Sequence, residues 1–296
     1  MSKVDVQFNL RVPSDLKGKV EQAAKENNRS INAEAIARLE SSFQMSNQDL
    51  SVALRMFEQL LLAKTSSPRK QELADRLNLA MHNINKLPRI GAELSPAYIA
   101  YDLDEEYGED FELYFSGQLE ASFSQLEKIA TYLGVDPVWL IFGKKSMYRV
   151  SYERLPRDVE SAIAWLAAER QTKQVYFLRE DSNEGALLIV TRYNDWVCNI
   201  YTTPYCVSGC IGATGENDLR ALFQLWHELC EHSNGMSICG YMLDTKSYQD
   251  ILTGFSHPLS ILERLHRSSW WEDIWDKKMK SSYWDGYEDL KKRILD

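Results

Sequence analysis

The chain has 296 residues, 44% of them hydrophobic and 26% charged, enough for roughly two domains with small modules at the ends. No stretch approaches the roughly 20 apolar residues of a membrane span, and MSKVDVQFNL lacks the charged-then-apolar layout of a secretory signal, so a cytoplasmic protein is expected. A formal charge of −9 argues against a nucleic-acid binder taken as a whole, and an odd count of five cysteines argues against a disulfide framework.

The charge is unevenly spread. Residues 1–44 set Lys3, Arg11, Lys17, Lys19, Lys25, Arg29 and Arg38 against Asp5, Asp15, Glu21, Glu26, Glu34 and Glu40, a near balance. Residues 101–127 carry nine carboxylates and no Lys or Arg. If DNA is bound, the first block does it and the second stays clear of phosphates.

Val4, Val6, Phe8, Leu10 and Val12 alternate with Asp5, Gln7, Asn9 and Arg11, the period of a strand with one apolar and one polar face. Pro13 ends it, and Ser14 is the expected N-cap of a helix with Leu16, Val20, Ala23 and Ala24 on one side. Asn27 and Asn28 suit its C-terminus, since Asn tolerates positive φ. Ser30 then caps a second helix with Ile31, Ala35, Leu39 and Phe43 on one face. One strand and two short helices neither pair the strand nor close a core. A second copy does both: the strands pair antiparallel and four helices cover the apolar face of the ribbon. The outer face then shows two copies each of Gln7, Asn9 and Arg11. Arg donates twice to guanine, Asn and Gln pair with adenine, and a two-stranded ribbon fits the major groove. An ordinary exposed strand face is the alternative for these residues taken alone.

The order Gln7-Phe-Asn-Leu-Arg11-Val-Pro13, a helix, then Asn28-Arg-Ser-Ile-Asn-Ala-Glu34-Ala-Ile-Ala-Arg38 resembles the Arc/MetJ-type ribbon-helix-helix repressors, over residues 4–44. The resemblance implies that Gln7, Asn9 and Arg11 touch bases of double-stranded DNA, and that the module is a homodimer. It also implies that Ser30, Ile31 and Asn32, at the start of the second helix, anchor a phosphate. Arg29, Glu34 and Arg38 match the family's buried Arg–Glu–Arg cluster, which is structural.

After a polar linker, Gln44–Asp49, the stripe Leu50, Leu54, Phe57 and Leu61 predicts a helix ending near Pro68, and another helix runs from about Arg69 toward Leu87. Residues 95–143, closing on Ser122-Phe-Ser-Gln-Leu-Glu-Lys-Ile-Ala-Thr-Tyr-Leu-Gly-Val-Asp-Pro-Val-Trp-Leu-Ile-Phe-Gly143, resemble the Cro/cI (Xre)-type helix-turn-helix domain. Leu126, Ile129, Ala130, Leu133, Trp139 and Leu140 would be its core. The position of the recognition helix falls near Gly108–Phe115, which offers carboxylates where DNA presents phosphates. The favoured role is packing or a protein interface.

Further on, Arg149–Asp158 is expected as a linker and 159–169 as a helix. Strands are predicted at Gln174–Arg179, Ala186–Arg192, Trp196–Tyr201 and Met236–Leu243, with a helix from Glu216 to about His232. Cys198, Cys206, Cys210, His227, Cys230 and His232 lack zinc-site spacing, so buried thiols are the favoured reading and no metal or other cofactor is expected. Gly209, Gly212 and Gly215 hint at an anion cradle, but lack the P-loop pattern and read better as a turn. Trp270, Trp271, Ile274 and Trp275, with Tyr283, Trp284 and Tyr287, have packing as their default.

The expected fold is mainly α with an α+β C-terminal domain: a ribbon-helix-helix at 1–45, a helical Xre-like domain at 46–148 and an α+β domain at 149–296. The expected function is a sequence-specific repressor and not an enzyme, with a protein partner or small-molecule effector at the C-terminal domain. Pairs of dimers on adjacent half-sites would gain from multivalency. An antitoxin-like inhibitor, autoregulating through the ribbon and masking a partner with its acidic C-terminal region, is the alternative.

Overall fold

A computed structural model describes residues 11–44, 67–88, 91, 93–168, 172–231, 236–266 and 268–296. The chain divides into two compact units, Met1–Thr65 and Ser66–Asp296. Most of the expected strand, with Gln7 and Asn9, and the stripe Leu50–Leu61 lie outside the described residues.

In the first unit, α1 (Ser14–Glu26) and α2 (Ile31–Gln44) form a hairpin. Pro13, not Ser14, holds the N-cap position. Proline's φ near −65° is already helical, and its carbonyl accepts from Lys17 N–H at 3.0 Å, so the helix begins one residue early. Asn28 takes the left-handed conformation expected of it, with φ 52°. That turn lets the Arg29 amide return to Ala24 O at 2.9 Å, closing the end of α1. Ser30 caps α2 as expected, its Oγ accepting from Ala33 N–H at 3.2 Å.

The second unit opens with five helices in succession among the described residues: α3 (Pro68–Asn85), α4 (Pro96–Asp102), α5 (Glu109–Phe115), α6 (Phe123–Leu133) and α7 (Pro137–Phe142). Ser67, Ser95, Ser122 and Asp136 cap four of them through their side chains. Gly134, at φ 69°, ends α6 and lets Val135 N–H reach back to Ala130 O at 3.0 Å. The residues expected as core of the closing pair, Leu126 through Leu140, are all buried.

A mixed sheet of order β1-β4-β3-β2-β5 follows. It is built from β1 (Val150–Tyr152), β2 (Gln174–Glu180), β3 (Ala186–Arg192), β4 (Cys198–Cys206) and β5 (Ser237–Leu243). The β1–β4 and β2–β5 pairs are parallel, the others antiparallel. Around it stand α8 (Val159–Ala168), α9 (Ala213–Glu231), α10 (Thr245–Leu252), α11 (Pro258–Leu262), α12 (Trp270–Trp275) and α13 (Tyr287–Leu295).

The interiors of β2 and β3 are buried on both faces, which explains their unbroken apolar runs. Tyr176, Leu178, Leu188, Val190 and Ile200 join α3–α7, α10 and α11 in one core. Val175, Phe177, Leu187, Ile189 and Tyr201 join α8, α9, α12 and α13 in the other. The helical segment and the sheet, which the sequence reading separates at 148, therefore share a core within one compact unit.

Several element boundaries differ from expectation. The segment expected as the linker 149–158 contains β1, whose three residues are too short to show a period. β4 runs to Cys206 instead of Tyr201; Pro204 lies past the stretch that β1 covers, on an edge where its missing N–H is tolerated. The helix expected from Glu216 starts at Ala213.

Candidate nucleic-acid interface

The α1–α2 hairpin leaves its apolar side chains open. Val12, Leu16, Ile31, Ile36 and Leu39 are each exposed, Ile36 at 56% and Leu39 at 43%. Among the hairpin's described apolar side chains only Ala24 is fully buried. Arg11, the one base-reading candidate within the described residues, is exposed two residues before Pro13.

Ser30, Ile31 and Asn32 stand together at the start of α2, all exposed. Ser30 Oγ and O take the amides of Ala33 and Glu34. The amides of Ile31 and Asn32 lie ahead of those bonds, at the positive end of a helix. That geometry suits a phosphate oxygen.

The structure brings Arg29, Glu34 and Arg38 together. Arg38 Nε donates to Glu34 Oε1 at 3.0 Å, Arg29 Nη1 lies 3.8 Å from Oε2, and Asn27 Nδ2 donates to Oε1 at 3.1 Å. The Arg38 hydrogen bond, with help from Asn27 and the two charges, holds the Glu34 carboxyl below the usual carboxylate range against the opposing effect of burial. Only the carboxylate is buried, at 2% exposure; the two arginine side chains are 54% and 66% exposed. Within a single chain the cluster is thus half-buried.

Elsewhere, α5 occupies the position read as a recognition helix, and its Glu109, Asp110 and Glu112 are exposed. Cys198 and Cys239 are buried, but Cys210 and Cys230 are exposed, so the buried-thiol reading holds for only part of the set. Among the described residues no three His, Cys, Asp or Glu side chains stand close enough to hold a metal ion. The glycine loop turns its carbonyls inward: Arg293 donates to Gly209 O at 2.8 Å and to Ile211 O at 3.3 Å. A loop spent on a cation of its own chain is a poor anion cradle. The aromatic cluster packs as expected, with Trp270, Trp271, Ile274 and Tyr287 fully buried and Phe177 stacked on Trp271 at 4.2 Å.

Buried Arg179, unmarked in the sequence, donates to the carbonyls of Val207, Glu180 and Ser182 and lies 3.8 Å from the Trp284 ring centroid. A polar cleft at one end of the sheet is almost as silent. Its only signal in sequence is Thr191 and Asn199 inside otherwise apolar strand runs.

Residues 1–47 match the family model described as the Arc-like DNA binding domain. No curated protein and no solved structure matches the chain. An Arc-like DNA-binding module thus occupies the N-terminus, supporting a DNA-binding regulator. Among the described residues no helix is long and apolar enough to cross a membrane.

Proposed function

We propose that the protein is a sequence-specific transcriptional repressor that acts by binding, as a homodimer, through its first 45 residues. The observation that carries this reading is the match of residues 1–47 to an Arc-like DNA binding domain. Two copies would pair residues 4–12 as an antiparallel ribbon and cover the exposed Leu16, Ile31, Ile36 and Leu39. Gln7, Asn9 and Arg11 would then face base edges in the major groove, while the Ile31 and Asn32 amides take a phosphate on either side. Burial against the second copy would enclose Arg29 and Arg38 around Glu34, completing the triad. The carboxylates of residues 101–127 would keep the helices after residue 66 off the duplex, including the Xre-like segment.

Those same exposed carboxylates favour a second reading, in which a basic protein partner is masked by the acidic surface and the ribbon regulates transcription of both. A stable basic partner co-purifying with the chain would select it.

The test is binding of the intact protein to DNA upstream of its own gene across a salt series, beside Asn9→Ala with Arg11→Ala. The wild type should prefer one segment. The double variant should lose about 1–3 kcal/mol of base discrimination per contact while keeping its salt-dependent affinity for any duplex. Equal selectivity in both proteins would remove the ribbon from base reading.

A further inference from the structure

Within the second unit, a cleft of about 480 Å³ opens between the end of the sheet, α8 and the α6–α7 junction. That size is within the range that holds small organic ligands. Its floor follows from strand register. On the face toward α8, Ser151 of β1 pairs with Tyr201 of β4, and Thr191 of β3 pairs with Asn199 of β4. Arg149, the residue just before β1, lines the same cleft. The next row inward, Ile189 and Phe177, is apolar core. The end row is therefore polar at a place where the strand pattern alone calls for more hydrophobic side chains.

These polar groups hold one another. Thr191 Oγ1 donates to the Tyr193 hydroxyl at 2.9 Å, and Asn199 Nδ2 donates to the hydroxyls of Tyr193 and Tyr201 at 3.0 and 3.1 Å. A connected network of this kind fixes rotamers before a ligand arrives, which lowers the cost of binding. Trp165, half-buried on α8, stands edge-on to Tyr201 with centroids 4.9 Å apart and supplies an apolar wall.

The charges at the rim set the chemistry. Arg149 and Glu153 flank Ser151 at alternate positions and line the same cleft. Neither side chain makes an ion pair or hydrogen bond among the described residues. Their neighbours Arg154 and Arg157 are, by contrast, both committed to Asp218, at 3.7 and 2.7 Å. Asp136, also in the lining, is occupied in capping α7. Burial raises the Cys198 thiol to about 12, so it stays protonated and offers no nucleophile.

We propose that this cleft binds a small organic anion built on a flat ring. Arg149 takes its carboxylate or phosphate, the Trp165 indole covers the ring, and Glu153 accepts from an N–H or O–H substituent at the far end. A planar guanidinium is suited to either oxyanion, and an indole in the cleft wall suits contact with a flat ring. The assignment stands apart from the DNA reading, because its readout is binding to the chain itself.

The experiment is calorimetric titration of the full chain with 2-aminobenzoate and with adenosine 5′-monophosphate, each beside its neutral counterpart, 2-aminobenzamide and adenosine. At least one anion should bind saturably. Arg149→Gln should weaken it about tenfold or more, the usual loss for one charge-assisted hydrogen bond. The neutral counterpart should bind wild type and variant alike. Arg149 is exposed, so an unchanged urea midpoint by tryptophan emission will show that the variant is folded. Which anion saturates decides between a carboxylate and a phosphate source. Saturation by neither, or equal binding of the anion by wild type and a folded Arg149→Gln, overturns the proposal.

Discussion

The α1–α2 hairpin and the sheet of residues 66–296 handle apolar side chains in opposite ways. In the hairpin, Leu16, Ile31, Ile36 and Leu39 stay exposed and a lone carboxylate, Glu34, is the buried polar group. In the sheet, the interiors of β2 and β3 are covered on both faces, and buried polar groups such as Arg179 and His257 are satisfied by backbone carbonyls and amides of the same chain. The difference teaches where each region gets its stability. About 40 residues cannot close a core alone, so the hairpin depends on whatever covers it, whereas the larger unit depends on itself.

The contrast predicts responses that separate the two regions, and the chain provides a convenient probe. All eight tryptophans lie from Trp139 onward, and residues 1–65 contain neither Trp nor Tyr, so tryptophan emission follows only the larger unit. The largest expected effect is there. His257 is buried, its ring bonded to Trp196 O at 2.8 Å and accepting from Leu259 N–H at 3.2 Å, in contact with Tyr148. Burial, opposed by the Trp196 carbonyl and aided by Arg192, lowers its pKa from the ordinary 6.5 to about 4. As pH falls below 6.5 the unfolded chain takes a proton that the folded chain refuses. Stability present above pH 6.5 is therefore lost toward pH 4, by roughly 3 kcal/mol. Urea unfolding by tryptophan emission should show that slope, and His257→Asn, which keeps a helix-capping acceptor, should flatten it. An unaltered slope would place the titration elsewhere.

Leu39→Ala should act through association. A second copy that covers Leu39 contributes about 2 kcal/mol by removing it from water. The variant should lower the helix melting of the N-terminal unit, by circular dichroism, in a manner that grows as protein concentration falls. Tryptophan emission should not change. A loss independent of concentration would mean that the hairpin is covered by its own chain, and the comparison between the two regions would fail.

The smallest effect concerns Glu34. Its carboxyl is held below the ordinary value of 4.5, chiefly by Arg38, so its contribution is present above pH 4.5 and is lost as pH falls through the lowered value. Arg38→Gln should move that acid transition of the helical signal upward in pH. It should leave the His257 transition where it is.

Much of this was legible in the sequence, for local reasons. Asn28 at positive φ and Ser30 at an N-cap are decided by one or two residues, and the sequence shows them. Long apolar runs announced β2 and β3 for the same reason. β1 was not legible, because three residues carry no period, and it became a strand only by finding the edge of β4. The residues assigned to DNA rest on pattern and on the match of residues 1–47.

By itself, then, the sequence determined most turns and caps and the apolar periods, and in its first 45 residues the spacing of an Arc-like module, since each depends on neighbours along the chain. Tertiary structure alone decided that the helices of 68–142 share a core with a sheet that begins at Val150, and that Arg149, Trp165, Thr191 and Asn199 meet at one cleft. Those groups come from segments up to 50 residues apart, and only strand register and helix packing, which act between segments and not along them, bring them to one place.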